Sequence, residues 1–285
     1  MTDIKSVLVT GGTGNIGSAI VQELIKHHYS VTVLCRSEQS AEKAQSNGAA
    51  VLHGDIGDPS GWCDGLGDFD ALIHTACSFE EDMGDIDRLF IRTITQQAEK
   101  RRDDLIVLYT TGCWNFGSHA DKVHEGTEKT PMADFKWMLE NGDHLLQRPG
   151  VDVRFVSPVN VVDVEMGSVP PILYWELERH GQPCVPEIKD LTWSLIDRRN
   201  LAELYRLVLE NGQSGEEYIG SGSDHSVQKL AQSLSDEPLK YVPLSDWSVT
   251  YGSWSEGYGL KQLFSSQKAM QTLGWVPKPI NITGL

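Results

Sequence analysis

Residues 10–17 read TGGTGNIG, with glycines at 11, 14 and 17 ending where an apolar helical pattern begins. That spacing suits a diphosphate. Gly11 permits a tight turn, Gly14 lets backbone N–H groups approach a pyrophosphate, Gly17 removes a Cβ where helix crosses strand, and the helix N-terminus faces the anion. Gly12, Thr13, Asn15 and Ile16 complete the candidate cradle. The end of the next apolar run carries Cys35, Arg36 and Ser37, with no carboxylate to accept from ribose hydroxyls. Arg36 offers a fork for a 2′-phosphate, so NADP is expected ahead of NAD. His119 and His124 are candidates for proton transfer near neutral pH, against the ordinary reading of a loop histidine in water. The five cysteines, at 35, 63, 77, 113 and 184, form no CxxC pair and no Cys/His spacing suited to zinc, so no metal is expected.

The elements that must hold this loop are legible as alternating periods. Residues 6–10 (SVLVT) form a short β-branched run, and within 18–28 Ile20, Val21, Leu24 and Ile25 recur at helical spacing. Further apolar runs stand at 31–34, 50–52, 71–73, 105–109 and 153–156, most of them separated by helix-length segments. Runs apolar on both faces predict parallel strands between helical layers, an α/β Rossmann-type doubly wound sheet. After Pro158 the prolines at 170, 171, 183 and 186 break the alternation, a helix returns over 200–210, and the tail is rich in turns and aromatics. The pattern predicts a dinucleotide-binding domain over 1–160 with a return segment near 195–220. A smaller C-terminal substrate lobe is predicted from 161–194 and 221–285.

With strand, helix and next strand in place around TGGTGNIG, the chain resembles the short-chain dehydrogenase/reductase superfamily, in its extended or atypical epimerase/dehydratase-like branch. TGGTGNIG is similar to that branch's TGxxGxxG, and HGDIGD at 53–58 resembles its third-strand GDxxD. ALIHTA at 71–76, LIDRRNLAELYRLVLE at 195–210 and LGWVPK at 273–278 resemble later elements, so the likeness runs over nearly the whole chain. The resemblance implies that Asp55 and Ile56 contact the adenine and that Thr75 and Ala76 lie beside the cofactor.

The same resemblance exposes a departure. The superfamily's chemistry uses a tyrosine four residues before a lysine, with a serine or threonine orienting the substrate oxygen. No tyrosine here has a lysine four positions later. Aligning ENGDHLL at 140–146 on the end of the corresponding helix puts Phe135 at the tyrosine position and Leu139 at the lysine position. YTTGCWNFG at 109–117 puts Gly112 at the serine, leaving Thr111 as the nearest hydroxyl. Phenylalanine transfers no proton. Thr111 is the candidate for orienting a substrate oxygen, against the alternative of a hydroxyl bonded only to backbone. A one-residue shift of register brings Lys136, at i, i+4 from Glu140, toward the nicotinamide. Buried there it would act as an acid or electrostatic catalyst; the alternative is a surface lysine in an ion pair.

Trp114, Trp137, Trp175 and Trp193 fall on segments that the resemblance brings around the substrate, where aromatic walls suit a small apolar or ring-containing molecule and core packing is the competing reading. Arg198 and Arg199 alone offer cations for a nucleotide-sugar pyrophosphate. The expectation is an NADP-dependent oxidoreductase acting on a small carbonyl or alcohol by a non-standard proton route. Two alternatives stay open: an NADP-binding sensor without catalysis, and a scaffold reused for a non-redox lyase or cyclisation step. The superfamily pairs helices beside the fifth strand, so a homodimer is an open alternative to a monomer.

Composition narrows the partners. Of 285 residues 40 are acidic and 24 basic, a formal charge of −16, and no Lys/Arg run offsets it locally. Such a field repels phosphate backbones and anionic lipid, so neither nucleic acid nor membrane is expected as a partner. With scattered cysteines and no apolar run near the length of a bilayer span, a reduced, cytoplasmic chain is expected.

Overall fold

The computed structural model describes residues 4–281 apart from Phe79 and Glu81. Two units are distinguishable. Unit 1 reaches to Thr111 and adds Trp137–Ser157 and Leu201–Tyr218; unit 2 takes Gly112–Lys136, Pro158–Asn200 and the chain from Ile219 onward.

The first half alternates as its periods require: β1 (Ser6–Thr10), α1 (Asn15–Lys26), β2 (Ser30–Cys35), α2 (Glu38–Ser46), β3 (Ala50–His53), β4 (Ala71–His74), α3 (Met83–Ala98), β5 (Leu105–Thr110), α4 (Lys136–Leu146) and β6 (Val151–Pro158). There follow β7 (Asn160–Val162), α5 (Pro171–His180), β8 (Cys184–Pro186), β9 (Thr192–Asp197), α6 (Arg198–Asn211), β10 (Glu217–Gly220), β11 (Ser223–Ser226), α7 (Val227–Gln232), β12 (Lys240–Val242), α8 (Leu244–Tyr251) and α9 (Gln267–Leu273).

Seven strands order as β10-β6-β5-β4-β1-β2-β3. β1 pairs in parallel with β2 on one side and with β4 on the other. Chain order therefore reverses beside β1, and a doubly wound sheet opens its ligand crevice at such a reversal, outside the carboxyl ends of the strands. Val7, Leu8 and Val9 are fully buried, so consecutive residues on opposite faces of β1 both lack water. That double burial is what made the run read as unbroken apolar rather than alternating. On one side Leu8, Leu66, Leu72, Phe90, Ile94 and Tyr109 share a core.

Unit 2 contains a three-stranded sheet, β11-β9-β7, and a parallel pair, β8 with β12. Its core gathers Leu173, Val185, Leu191, Trp193, Leu230 and Trp247. No helix among the described residues is long and apolar enough to cross a membrane.

Candidate functional site

The turn after β1 is shaped by its glycines, each for a separate reason. Gly11 has φ +70°, and a Cβ there would lie 2.8 Å from the backbone of Thr75 and Ala76. A Cβ on Gly12 would stand 2.8 Å from Val33, and one on Gly17 would overlap the Gly11 carbonyl. Gly14 differs. Its backbone is extended, and an added Cβ would approach only the Gly11 oxygen, at 3.2 Å. The protein itself needs little of the space that Gly14 leaves open. No side chain caps α1 at Gly14, so the N-terminal amide dipoles of α1 face that space. Open volume beside an uncapped helix start is what a diphosphate requires, and the residues fit the group.

The other sequence-expected cofactor residues gather on the same unit. Thr75 donates its hydroxyl to the Thr10 carbonyl at 2.8 Å, tying the ends of β4 and β1 together, with Ala76 next to Gly11. Asp55 accepts from the Gly57 N–H at 2.8 Å and its carbonyl accepts from the Trp62 indole at 2.9 Å, which fixes the turn that presents Ile56. Arg36 follows β2, is exposed, and has no hydrogen-bond or ion-pair partner among the described residues. Sequence reasoning passed over Lys43. Its Nζ donates to the Thr13 carbonyl at 2.5 Å, placing a second cation at the glycine turn. The signal was its place on α2, whose start is fixed by a Ser37/Ser40 capping box.

Thr111 is buried, and its hydroxyl partners among the described residues are side chains. It is hydrogen-bonded to Ser157 Oγ, which in turn donates to Glu217 Oε1 at 2.5 Å; Thr111 Oγ1 lies 3.5 Å from the same carboxylate oxygen. A threonine after β5, a serine near the end of β6 and a glutamate opening β10 thus form one chain of exchangeable protons. Ser157 and Glu217 escaped the sequence reading because 60 residues separate them. The available signal was a carboxylate inside the apolar run EYIG.

Several candidates change character. Lys136, considered as a buried acid, is exposed as the first residue of α4. The buried group there is Phe135, packed against Trp114 with ring centroids 5.3 Å apart. His124 is exposed, and its Nδ1 accepts from the Gly126 N–H at 3.1 Å; His119 Nε2 is 2.7 Å from the Phe116 carbonyl. Arg198 pairs with Asp163, and Arg199 with Asp163, Glu165 and Asp197. Trp137 packs beside Gly84 in unit 1, and Trp193 is buried with its indole N–H on the Tyr258 carbonyl. Trp114 and Trp175 keep part of their surface in water and meet Trp254, Trp114 stacked at 6.2 Å and Trp175 edge-on at 6.4 Å.

A second buried polar group lies behind the β1 turn. Asp87 accepts from His74 Nε2 at 2.7 Å, Tyr109 OH at 2.7 Å and Asn141 Nδ2 at 2.6 Å, while Thr10 Oγ1 lies 2.6 Å from His74 Nδ1. The ring of His74 thus bridges the Thr10 hydroxyl and the Asp87 carboxylate through its two nitrogens. Burial, then the charge of Asp87 and the bond to it, push the Tyr109 phenol far up. Tyr109 is therefore held as a neutral donor to Asp87.

The NAD(P)H-binding family model matches residues 11–176, more than half of the chain and the whole glycine turn. The chain belongs to the NAD(P)H-binding family. Within that range lie α1 to β7 and the first part of α5. A Saccharomyces cerevisiae protein described as uncharacterized is 25% identical over 97% of this chain and 96% of its own length. A putative dihydroflavonol 4-reductase of Synechocystis is 24% identical over 87% of this chain and 78% of that one. The solved dTDP-glucose 4,6-dehydratase of Streptomyces venezuelae, with NAD bound, superposes with a TM-score of 0.77 over 98% of this chain and 94% of that one, at 20% identity. The fold is thus the one seen in solved nucleotide-sugar epimerases and dehydratases. The nicotinamide cofactor expected of this family fits the open turn at Gly14.

Proposed function

We propose that the chain is an NADP-dependent oxidoreductase that interconverts a small apolar alcohol and its carbonyl, with protons moving through Thr111, Ser157 and Glu217. The hydroxyl chain ending on Glu217 carries the reading, because it supplies what Phe135 and Leu139 cannot. A bound nicotinamide supplies or takes up the hydride. The Glu217 carboxylate accepts the Ser157 O–H, so the Ser157 oxygen accepts from Thr111 and the Thr111 lone pairs are left for an alcohol O–H. In oxidation the alcohol proton passes to Thr111 Oγ1, the Thr111 proton to Ser157 and the Ser157 proton to Glu217. Reduction runs the same transfers backward.

Arg36, exposed and unpartnered among the described residues, supports NADP over NAD, and Lys43 adds positive charge at the glycine turn. Two observations support a small apolar substrate over a nucleotide sugar: the partly exposed Trp114, Trp175 and Trp254, and the acidic partners that already neutralise Arg198 and Arg199.

The test is NADPH titration followed by turnover against aromatic and aliphatic carbonyls and alcohols. Thr111→Val and Glu217→Gln are expected to keep NADPH affinity and lose at least a hundredfold in kcat, the scale of a lost general acid or base. Unchanged turnover in both variants removes the proton route. Phe135 at the phenol position favours a second reading, an NADP sensor; tight NADPH binding with no turnover on any substrate selects it.

A further inference from the structure

Unit 2 contains a side-chain cluster that the oxidoreductase reading does not use. Glu176 and His180 stand one turn apart on α5, and Gly181 (φ +68°) ends that helix and reverses the chain into β8, which begins at Cys184. A carboxylate oxygen of Glu176, an imidazole nitrogen of His180 and the sulfur of Cys184 all lie within 4.8 Å of one another. Glu176 and Cys184 are fully buried, and the His180 side chain is 20% exposed.

The carboxylate is satisfied on one oxygen only. Oε1 accepts from Tyr251 OH at 2.8 Å and lies 3.5 Å from Arg179 Nη1. Oε2 has no hydrogen-bond partner among the described residues; the nearest cationic candidate, His180 Nε2, is 3.6 Å away. A fully buried, half-satisfied carboxylate is costly, and the atoms around it are a nitrogen and a sulfur. The thiol, pushed up to about 11 by burial and then by the Glu176 charge, is no nucleophile at neutral pH.

We propose that Glu176 Oε2, His180 Nε2 and Cys184 Sγ bind one divalent zinc-class ion, the fourth position going to water, and that the ion fastens α5 to β8. One O, one N and one S donor form a set that zinc takes in tetrahedral geometry and that magnesium and calcium do not. Binding releases the Cys184 proton, so two negative ligands balance the metal's charge. The remaining imidazole proton moves to Nδ1. That nitrogen is 3.1 Å from Lys240 Nζ, on the strand paired beside Cys184, so the half-buried Lys240 turns away when the metal enters. Lys240 is thus a built-in competitor, which makes the site testable in both directions.

Chelator-stripped, reduced full-length protein titrated with Co²⁺ is expected to saturate at one equivalent, with visible ligand-field bands and a near-ultraviolet thiolate-to-cobalt band that Zn²⁺ abolishes. Cys184→Ser is expected to remove the near-ultraviolet band, His180→Gln to weaken binding at least tenfold, and Lys240→Ala to tighten it. Added Zn²⁺ is expected to raise the thermal midpoint of the wild type and not that of His180→Gln. Absence of the thiolate band, its survival in Cys184→Ser, or unaltered affinity in His180→Gln overturns the proposal. The His180 variant, at a partly exposed position, serves if the Cys184 variant fails to fold.

Discussion

At the residue scale, Gly14 and Arg36 separate the needs of the ligand from those of the fold. Because a Cβ at position 14 meets only the Gly11 oxygen, Gly14→Ala is expected to fold normally and to lose at least tenfold in NADPH affinity, read by fluorescence titration. If the proposed NADP reading holds, Arg36→Asp costs a charged hydrogen bond to the 2′-phosphate, about 1.5–3 kcal/mol. NADPH should weaken accordingly while NADH holds or improves; equal loss for both cofactors would remove Arg36 from the 2′ position. Both candidates rest on local patterns, the glycine spacing and the end of the second strand, which a sequence displays directly. Ser157 and Glu217 do not, since only folding brings β5, β6 and β10 side by side. Lys136 misled for a related reason: one step of helix register decides between core and water, and spacing alone does not resolve one step.

At the element scale, the Asp87 cluster binds four elements through one carboxylate: β4 by His74, β5 by Tyr109, α4 by Asn141 and its own α3. Thr10 extends the link to β1. Asp87→Ala leaves three buried donors without their acceptor, and is expected to lower unfolding stability by about 3–5 kcal/mol in urea titration. A loss below 1 kcal/mol would mean that water replaces the carboxylate. The strands themselves were readable, with β1 to β6 standing within two residues of the apolar runs. The polar cluster was hidden because His74 and Asp87 sit among apolar neighbours on separate elements. Unit 2 was harder to read: β7, β8 and β12 have three residues each, too few to show a period.

For the whole molecule, acid response follows from two carboxylates held below their ordinary value. Burial would raise Asp163, but the Arg199 hydrogen bond, the charges of Arg199 and Arg198 and the Met166 N–H reverse that. Burial likewise works against Asp70, overcome by the Ser6 and Lys5 N–H groups, the Ser6 hydroxyl and Arg101. A depressed folded value stabilises above the unfolded value, 3.8, and the gain disappears as pH falls through the lower folded value. Urea midpoints of wild type and Asp163→Asn should therefore differ by a constant amount above about pH 5 and converge below 3.8. A gap independent of pH would assign the difference to packing. Unit 2 also draws on three stretches far apart along the chain, and the Phe116 ring is covered by Phe264 and Trp114 by Tyr258. On a translating ribosome those early aromatics wait about seven to thirty seconds for their covering partners. The nascent chain thus carries these rings uncovered for about half of its synthesis, an interval in which exposed apolar surface is prone to aggregate.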